Sequence, residues 1–296
     1  MLSILLLAQV AGAPSPPFVT PRFPVKVSND LEYARAPVRS PAASEKPLLL
    51  DLYEPDGDSA PALRPGFVAV HGGGLTRGDK RTENMVELCR ELAGRGYVCA
   101  SINYRLLGDD PPANGEAPIS RTLNAAIEDA ERAVTWLRNE AGRYHVDPER
   151  IAVGGSSSGA VIVLRLAYRG TGRRAPVRAV FSWLGGLNGR EGMLDAGEPP
   201  LFMVSGAADT VVPASQARAL AERARRVAVP YEILVCEGLG HNVPLDRRPG
   251  GVPIYHRLAA FLHQHLDLSR LGRKPETRQR EPSRVGVDTR AVPCPK

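Results

Sequence analysis

Residues 151–161 read IAVGGSSSGAV. A short apolar run, Ile151 to Val153, meets two glycines, three serines and a third glycine. A second apolar run from Ala160 follows at once. That order describes a buried strand turning sharply into a buried helix. Gly155-Ser156-Ser157-Ser158-Gly159 fits a G-x-S-x-G pattern in one register only. Centring on Ser156 puts Ser158 at a glycine position, and centring on Ser158 leaves Ser156 and Ala160 there. Ser157 alone has glycine two residues away on each side. Side chains at those two positions would crowd the turn, and the central residue is held strained with its hydroxyl exposed. The helix behind it supplies N–H groups and positive potential for a developing anion. The bland alternative is a Gly/Ser turn with a serine capping the helix, but the strand–turn–helix context favours a nucleophile at Ser157.

The neighbouring elements repeat this rhythm. KPLLLDLYEP (46–55), GFVAVHGG (66–73), YVCASINY (97–104), VRAVFSWLG (177–185), PLFMVSG (200–206) and YEILVCEG (231–238) read as strands. Between them, apolar residues fall at helical spacing, for example Met85, Leu88, Cys89 and Leu92, or Leu123, Ile127, Ala130, Val134 and Leu137. Strand and helix in alternation imply an α/β fold, a single domain over 45–268, with a mostly parallel central sheet and helices on both faces. Chemistry in such sheets sits on loops leaving the carboxyl ends of strands.

A serine needs a base. Of six histidines, His145, His256, His263 and His265 lie in helix-like or helix-end contexts, and His71 opens HGGG. His241, in EGLGHNVP, follows a strand on a loop that can reach over the turn, so it is the expected base. The imidazole needs an acceptor, and Asp209 in SGAADTVVP follows the preceding strand. The three glycines Gly72, Gly73 and Gly74 let backbone N–H groups face a ligand. With the N–H of Ser158 they form the expected oxyanion hole, with Gly73 in either pairing of glycines. The rival reading, a phosphate cradle, lacks the lysine-serine pair of a P-loop and has no G-x-G-x-x-G. No metal site and no cofactor are expected. Arg105 and Asp129 read as a scaffold pair beneath the site.

VHGGGLTRGDK, SINYRL, EDAERAVTWLRNEA, VDPERIAVGGSSSGA, SGAADTVVP and EGLGHNVP occur in this order over about residues 45–267. Together they resemble the α/β-hydrolases of the HGGG-motif esterase/lipase group, similar to hormone-sensitive-lipase-like carboxylesterases and bacterial feruloyl-esterase-like domains. The resemblance implies a serine esterase with the triad Ser157, Asp209, His241, acting on a small-molecule ester through an acyl-enzyme. The family often has aspartate before the nucleophile and alanine after it; here Ser156 and Ser158 make the pocket floor more polar. Residues 187–198 leave no room for a large lid, and the longer loop 106–121 is expected to form one wall. The alternatives are an amidase or peptidase on the same fold, though the length leaves no room for a gating domain, and a non-catalytic binding protein, which would usually lack a triad member.

The ends carry the remaining expectations. Residues 1–13 (MLSILLLAQVAGA) read as a secretory signal without a basic start, too short to span a bilayer. Secretion or a periplasmic location follows from it, against a cytoplasmic alternative. Residues 14–44 read as a linker with one edge strand at most, and 269–296 as a basic disordered tail. From Arg270 onward there are eight Lys/Arg and three Asp/Glu, so nearly all of the net charge of +6 lies in the tail. A neutral body with a scattered basic tail excludes a nucleic-acid surface. Cys99 and Cys236 read as buried small hydrophobes, with disulfide pairing open among Cys89, Cys99, Cys236 and Cys294.

Overall fold

The computed structural model describes residues 17–39, 42–109, 118–169, 176–271 and 290–296. The leader-like segment 1–13 lies outside them, as do residues 110–117 of the expected pocket wall. Nine strands form one sheet: β1 (Val25–Val38), β2 (Ser44–Pro55), β3 (Arg64–Val70), β4 (Val98–Ile102), β5 (Val146–Ser156), β6 (Ala179–Trp183), β7 (Leu201–Gly206), β8 (Tyr231–Cys236) and β9 (Ala291–Val292). Their order is β1-β2-β4-β3-β5-β6-β7-β8-β9. The first two pairings are antiparallel and the rest parallel. The α-helices are α1 (Glu83–Ala93), α2 (Pro118–Asn139), α3 (Ala141–Tyr144), α4 (Ser158–Ala167), α5 (Ala214–Arg226) and α6 (Ile254–His265).

Two hydrophobic clusters, one built around α2, α4 and α5 and the other around α1 and α6, pack on the sheet and account for its buried strands. Parallel strands covered on both faces need apolar residues at successive positions, as in β3 and β6. The apolar stripe of α2 buries Ala130, Val134 and Leu137, and α4 is apolar nearly all round because the sheet and α2 enclose it. Because β3, β5, β7 and β8 run parallel, the loops that follow them emerge at one edge of the sheet.

Residues 14–44 are not a linker where the structure describes them. Phe18 and Val19 are buried, and β1 pairs with β2 along most of its length. An edge strand buries one face only, and its polar residues and Pro37 suit an unpaired outer edge, so its pattern reads weakly. The last seven residues also depart from the disordered tail. Ala291 and Val292 pair with Val235 and Cys236, and Cys294 is buried. The cysteines are not free hydrophobes either: Cys89 bonds Cys99, tying α1 to β4, and Cys236 bonds Cys294.

Arg105 and Asp129 form the expected scaffold pair. Asp129 is fully buried and accepts hydrogen bonds from the Arg105 backbone N–H at 2.9 Å and from its Nη2 at 2.8 Å. Arg132 adds a further contact at 3.1 Å. Asp129→Asn keeps the shape but removes the charge facing two guanidinium groups. The expected loss is about 2–3 kcal/mol of stability, read in a denaturant titration with unchanged slope.

Candidate active site

Ser157 sits between β5 and α4 with φ 55° and ψ −119°, the strained conformation expected of a sharp strand-to-helix turn. The flanking glycines are required by contact. A Cβ on Gly155 would lie 2.4 Å from the backbone of Gly159, and one on Gly159 would lie 2.1 Å from the Val70 carbonyl oxygen. The serine backbone is fixed by its N–H, which donates to the Trp183 carbonyl of β6 at 2.8 Å.

His241 lies on the loop after β8 and Asp209 on the loop after β7. His241 Nε2 is 2.9 Å from Ser157 Oγ, and its Nδ1 is 2.7 Å from Asp209 Oδ2. A carboxylate only accepts, so Nδ1 carries the proton and Nε2 accepts the serine O–H. The Asp209 side chain is buried, and its other oxygen accepts the N–H groups of Val211 at 2.8 Å and Val212 at 2.9 Å. These bonds aim the free oxygen at the imidazole. The two loops are joined directly, since the Ala208 N–H donates to Leu239 O at 2.9 Å. Trp183 Nε1–H donates to Val243 O at 2.9 Å and holds the histidine loop from the sheet side.

The glycine loop after β3 lies against the same turn. A Cβ on Gly72 would approach that of Ser157 to 3.1 Å. Gly73 has φ +113°, and a Cβ there would sit 2.0 Å from the Arg77 carbonyl oxygen, so no other residue fits. His71 is buried and stacks on Tyr104 with ring centroids 4.3 Å apart. Its Nδ1–H donates to Gly72 O at 2.7 Å. Burial holds its pKa below the ordinary histidine value, and it takes no part in the Ser157–His241 contact. The far end of the loop is clamped by ion pairs: Lys80 Nζ to Asp30 Oδ1 at 2.7 Å and Arg81 Nε to Asp51 Oδ2 at 2.8 Å.

The structure thus brings together Ser157, His241, Asp209, Gly72, Gly73, Gly74 and Ser158. Tyr104 and Trp183 are additional members. Sequence reasoning missed them because each acts by one side-chain bond to a distant backbone carbonyl, and no spacing announces that. Among the described residues no cluster of His, Cys, Asp or Glu suits a metal ion, and no helix is long and apolar enough to cross a membrane.

Residues 50–176, which include the glycine loop and the serine turn, match the BD-FAE family model. The chain is similar to the HGGG-motif esterases of the α/β-hydrolases. Among curated relatives, Esterase LipC of Mycobacterium tuberculosis is 28% identical over 265 residues, covering 73% of this chain and 62% of LipC. Esterase LipI of the same organism is 32% identical over 124 residues, 42% of this chain and 35% of LipI. The chain therefore spans less than two thirds of either relative. Among solved structures, Thermogutta terrifontis esterase 2 phosphorylated by paraoxon superposes with a TM-score of 0.62 at 22% identity, over 86% of this chain and 98% of that one. A truncated carbohydrate esterase from gut microbiota gives 0.63 at 16% identity, over 85% and 99%. These two likenesses bear on the fold.

Proposed function

We propose that this α/β-hydrolase is a serine hydrolase that cleaves small carboxylic esters through an acyl-enzyme. The observation that carries the reading is the unbroken hydrogen-bond chain from Ser157 through His241 to Asp209 on a strained turn. His241 Nε2 takes the proton as Ser157 Oγ attacks the ester carbonyl. The tetrahedral oxyanion is held by N–H groups of the glycine loop and of Ser158, at the positive end of α4. His241 then gives its proton to the departing alcohol. Water, activated by the same nitrogen, hydrolyses the acyl-serine and restores the hydroxyl. Asp209 stabilises the imidazolium formed in each half. Esters are favoured over amides because the relatives LipC and LipI are named esterases.

The same reading has the enzyme working outside the cytoplasm. It is supported by the two disulfides, which persist in oxidising compartments.

A fluorophosphonate probe tests the hydrolase reading, since it needs an activated serine. The comparison esterase described as phosphorylated by paraoxon gives precedent for that chemistry on this fold. Labelling is expected at Ser157, and mapping of the adduct to Ser156 or Ser158 would show the register to be wrong. A panel of p-nitrophenyl esters is expected to give fastest turnover with short acyl chains, as the short segment 187–198 provides no large lid.

A further inference from the structure

We propose that the Ser158 side chain is a positioning residue for the oxyanion hole. Its hydroxyl accepts the Gly74 N–H and holds the glycine loop at its working distance from Ser157. The proposal rests on the hydrolase reading above, and deepens it by naming what sets the geometry of the hole.

The glycine loop is held at both ends. The Gly74 N–H donates to Ser158 Oγ at 3.1 Å. Tyr104 is buried, which pushes its pKa up to about 12 and keeps its single proton in place. That proton goes to the His71 carbonyl oxygen, 3.1 Å away. Tyr104 therefore fixes the His71 end of the loop, and the Ser158 hydroxyl fixes the Gly74 end.

The two bonds span the tetrapeptide His71–Gly74, and the one at Gly74 is accepted by the residue bonded to the nucleophile. Tyr104 also stacks on the His71 ring. A loop of three glycines would otherwise be the most pliable part of the site. The same bond divides the donors. Gly74 N–H is committed to Ser158 Oγ, whereas the N–H groups of Gly72, Gly73 and Ser158 make no hydrogen bond to the chain among the described residues. The oxyanion donors are drawn from those three, with Gly74 set aside. An alanine after the nucleophile cannot accept from Gly74, so this chain holds its loop by a means that alanine does not provide.

The test uses Ser158→Ala, Ser158→Thr and Tyr104→Phe in the full chain, with matched oxoester and thionoester substrates. Sulfur accepts hydrogen bonds poorly, so the rate ratio between the two substrates reports the hole itself. Ser158→Ala is expected to lower kcat for the oxoester by about 10–100-fold through misplacement of the donors, with KM nearly unchanged. The oxoester/thionoester ratio should fall with it, and Ser158→Thr should recover most of both. Tyr104→Phe should lower kcat in the same direction, because it frees the His71 end of the same loop. Hydrogen exchange at the Gly74 amide, measured without substrate, should quicken in Ser158→Ala. An active wild type whose variant keeps the ratio, or whose Gly74 exchange does not change, overturns the proposal alone. A wild type that neither cleaves esters nor takes the phosphonate overturns the hydrolase reading, and this proposal with it.

Discussion

Replacing Ser157 by alanine is expected to lower turnover of a p-nitrophenyl ester by roughly 10⁶-fold while leaving the melting temperature close to wild type. The two halves of that expectation have different sources. Activity goes because the only oxygen within reach of His241 Nε2 in the described site is removed, and an imidazole cannot substitute for it in the attack. Stability stays because alanine meets the same backbone strain as serine at φ 55° and gives up only the bond to the partly exposed imidazole. Asp209→Asn tests the next link. An amide in place of the carboxylate can present its NH₂ to Nδ1 and reverse the tautomer, at a cost of about 10⁴ in kcat. Ser156→Ala is the control. Ser156 ends β5 and pairs with Trp183, and the His241 Nε2 bond goes to Ser157 and not to Ser156, so most of the activity should remain. Comparable losses in Ser156→Ala and Ser157→Ala, or a Ser157→Ala enzyme with more than a trace of turnover, would remove Ser157 as nucleophile.

The parts of this site that the chain announces are those decided by neighbours in sequence. The turn around Ser157 is one such part: the steric demand at Gly155 comes from Gly159 within the same reversal, although that at Gly159 comes from Val70 and His71 at the end of the neighbouring β3. Asp209 and His241 are legible at one remove. Each follows a strand, and parallel strands deliver their trailing loops to a common edge whatever the order of the sheet. The hold of Ser158 and Tyr104 on the glycine loop is of another kind. SINYRL marks Tyr104 only as the end of a strand, and its hydroxyl finds His71 O because β4 lies beside β3. β1 was faint because one buried face and a polar outer edge give half a signal. The disulfides could not be paired from sequence: Cys236 and Cys294 are 58 residues apart, and only the completed sheet places their Cα atoms 5.4 Å from each other.

Deleting residues 290–296 is expected to destabilise the whole domain and to slow catalysis, although the segment lies at the end of a basic stretch that reads as disordered. Cys294 is covalently bound to Cys236, the last residue of β8 and the fifth before His241. The Glu237 N–H donates to Val292 O at 2.9 Å, and the Arg248 N–H to Pro295 O at 2.8 Å. The segment thus brackets residues 237–248, the loop that carries His241, from both ends. Closing a loop of 58 residues by a disulfide restrains the unfolded chain by about 4 kcal/mol in the chain-entropy description. The two backbone bonds add about 1 kcal/mol each. For a domain of this size the sum corresponds to a fall in Tm on the order of 10 °C. Cys236→Ser with Cys294→Ser separates the covalent part from the strand pairing without leaving a free thiol, and should recover only a minor share of the deletion's effect. Turnover should fall in the deletion more than in a heat-matched Asp129→Asn variant, because only the deletion loosens the flanks of His241. A deletion variant with wild-type Tm and wild-type kcat would mean that the segment merely rests against β8, and that the basic stretch is a dispensable appendage through its last residue.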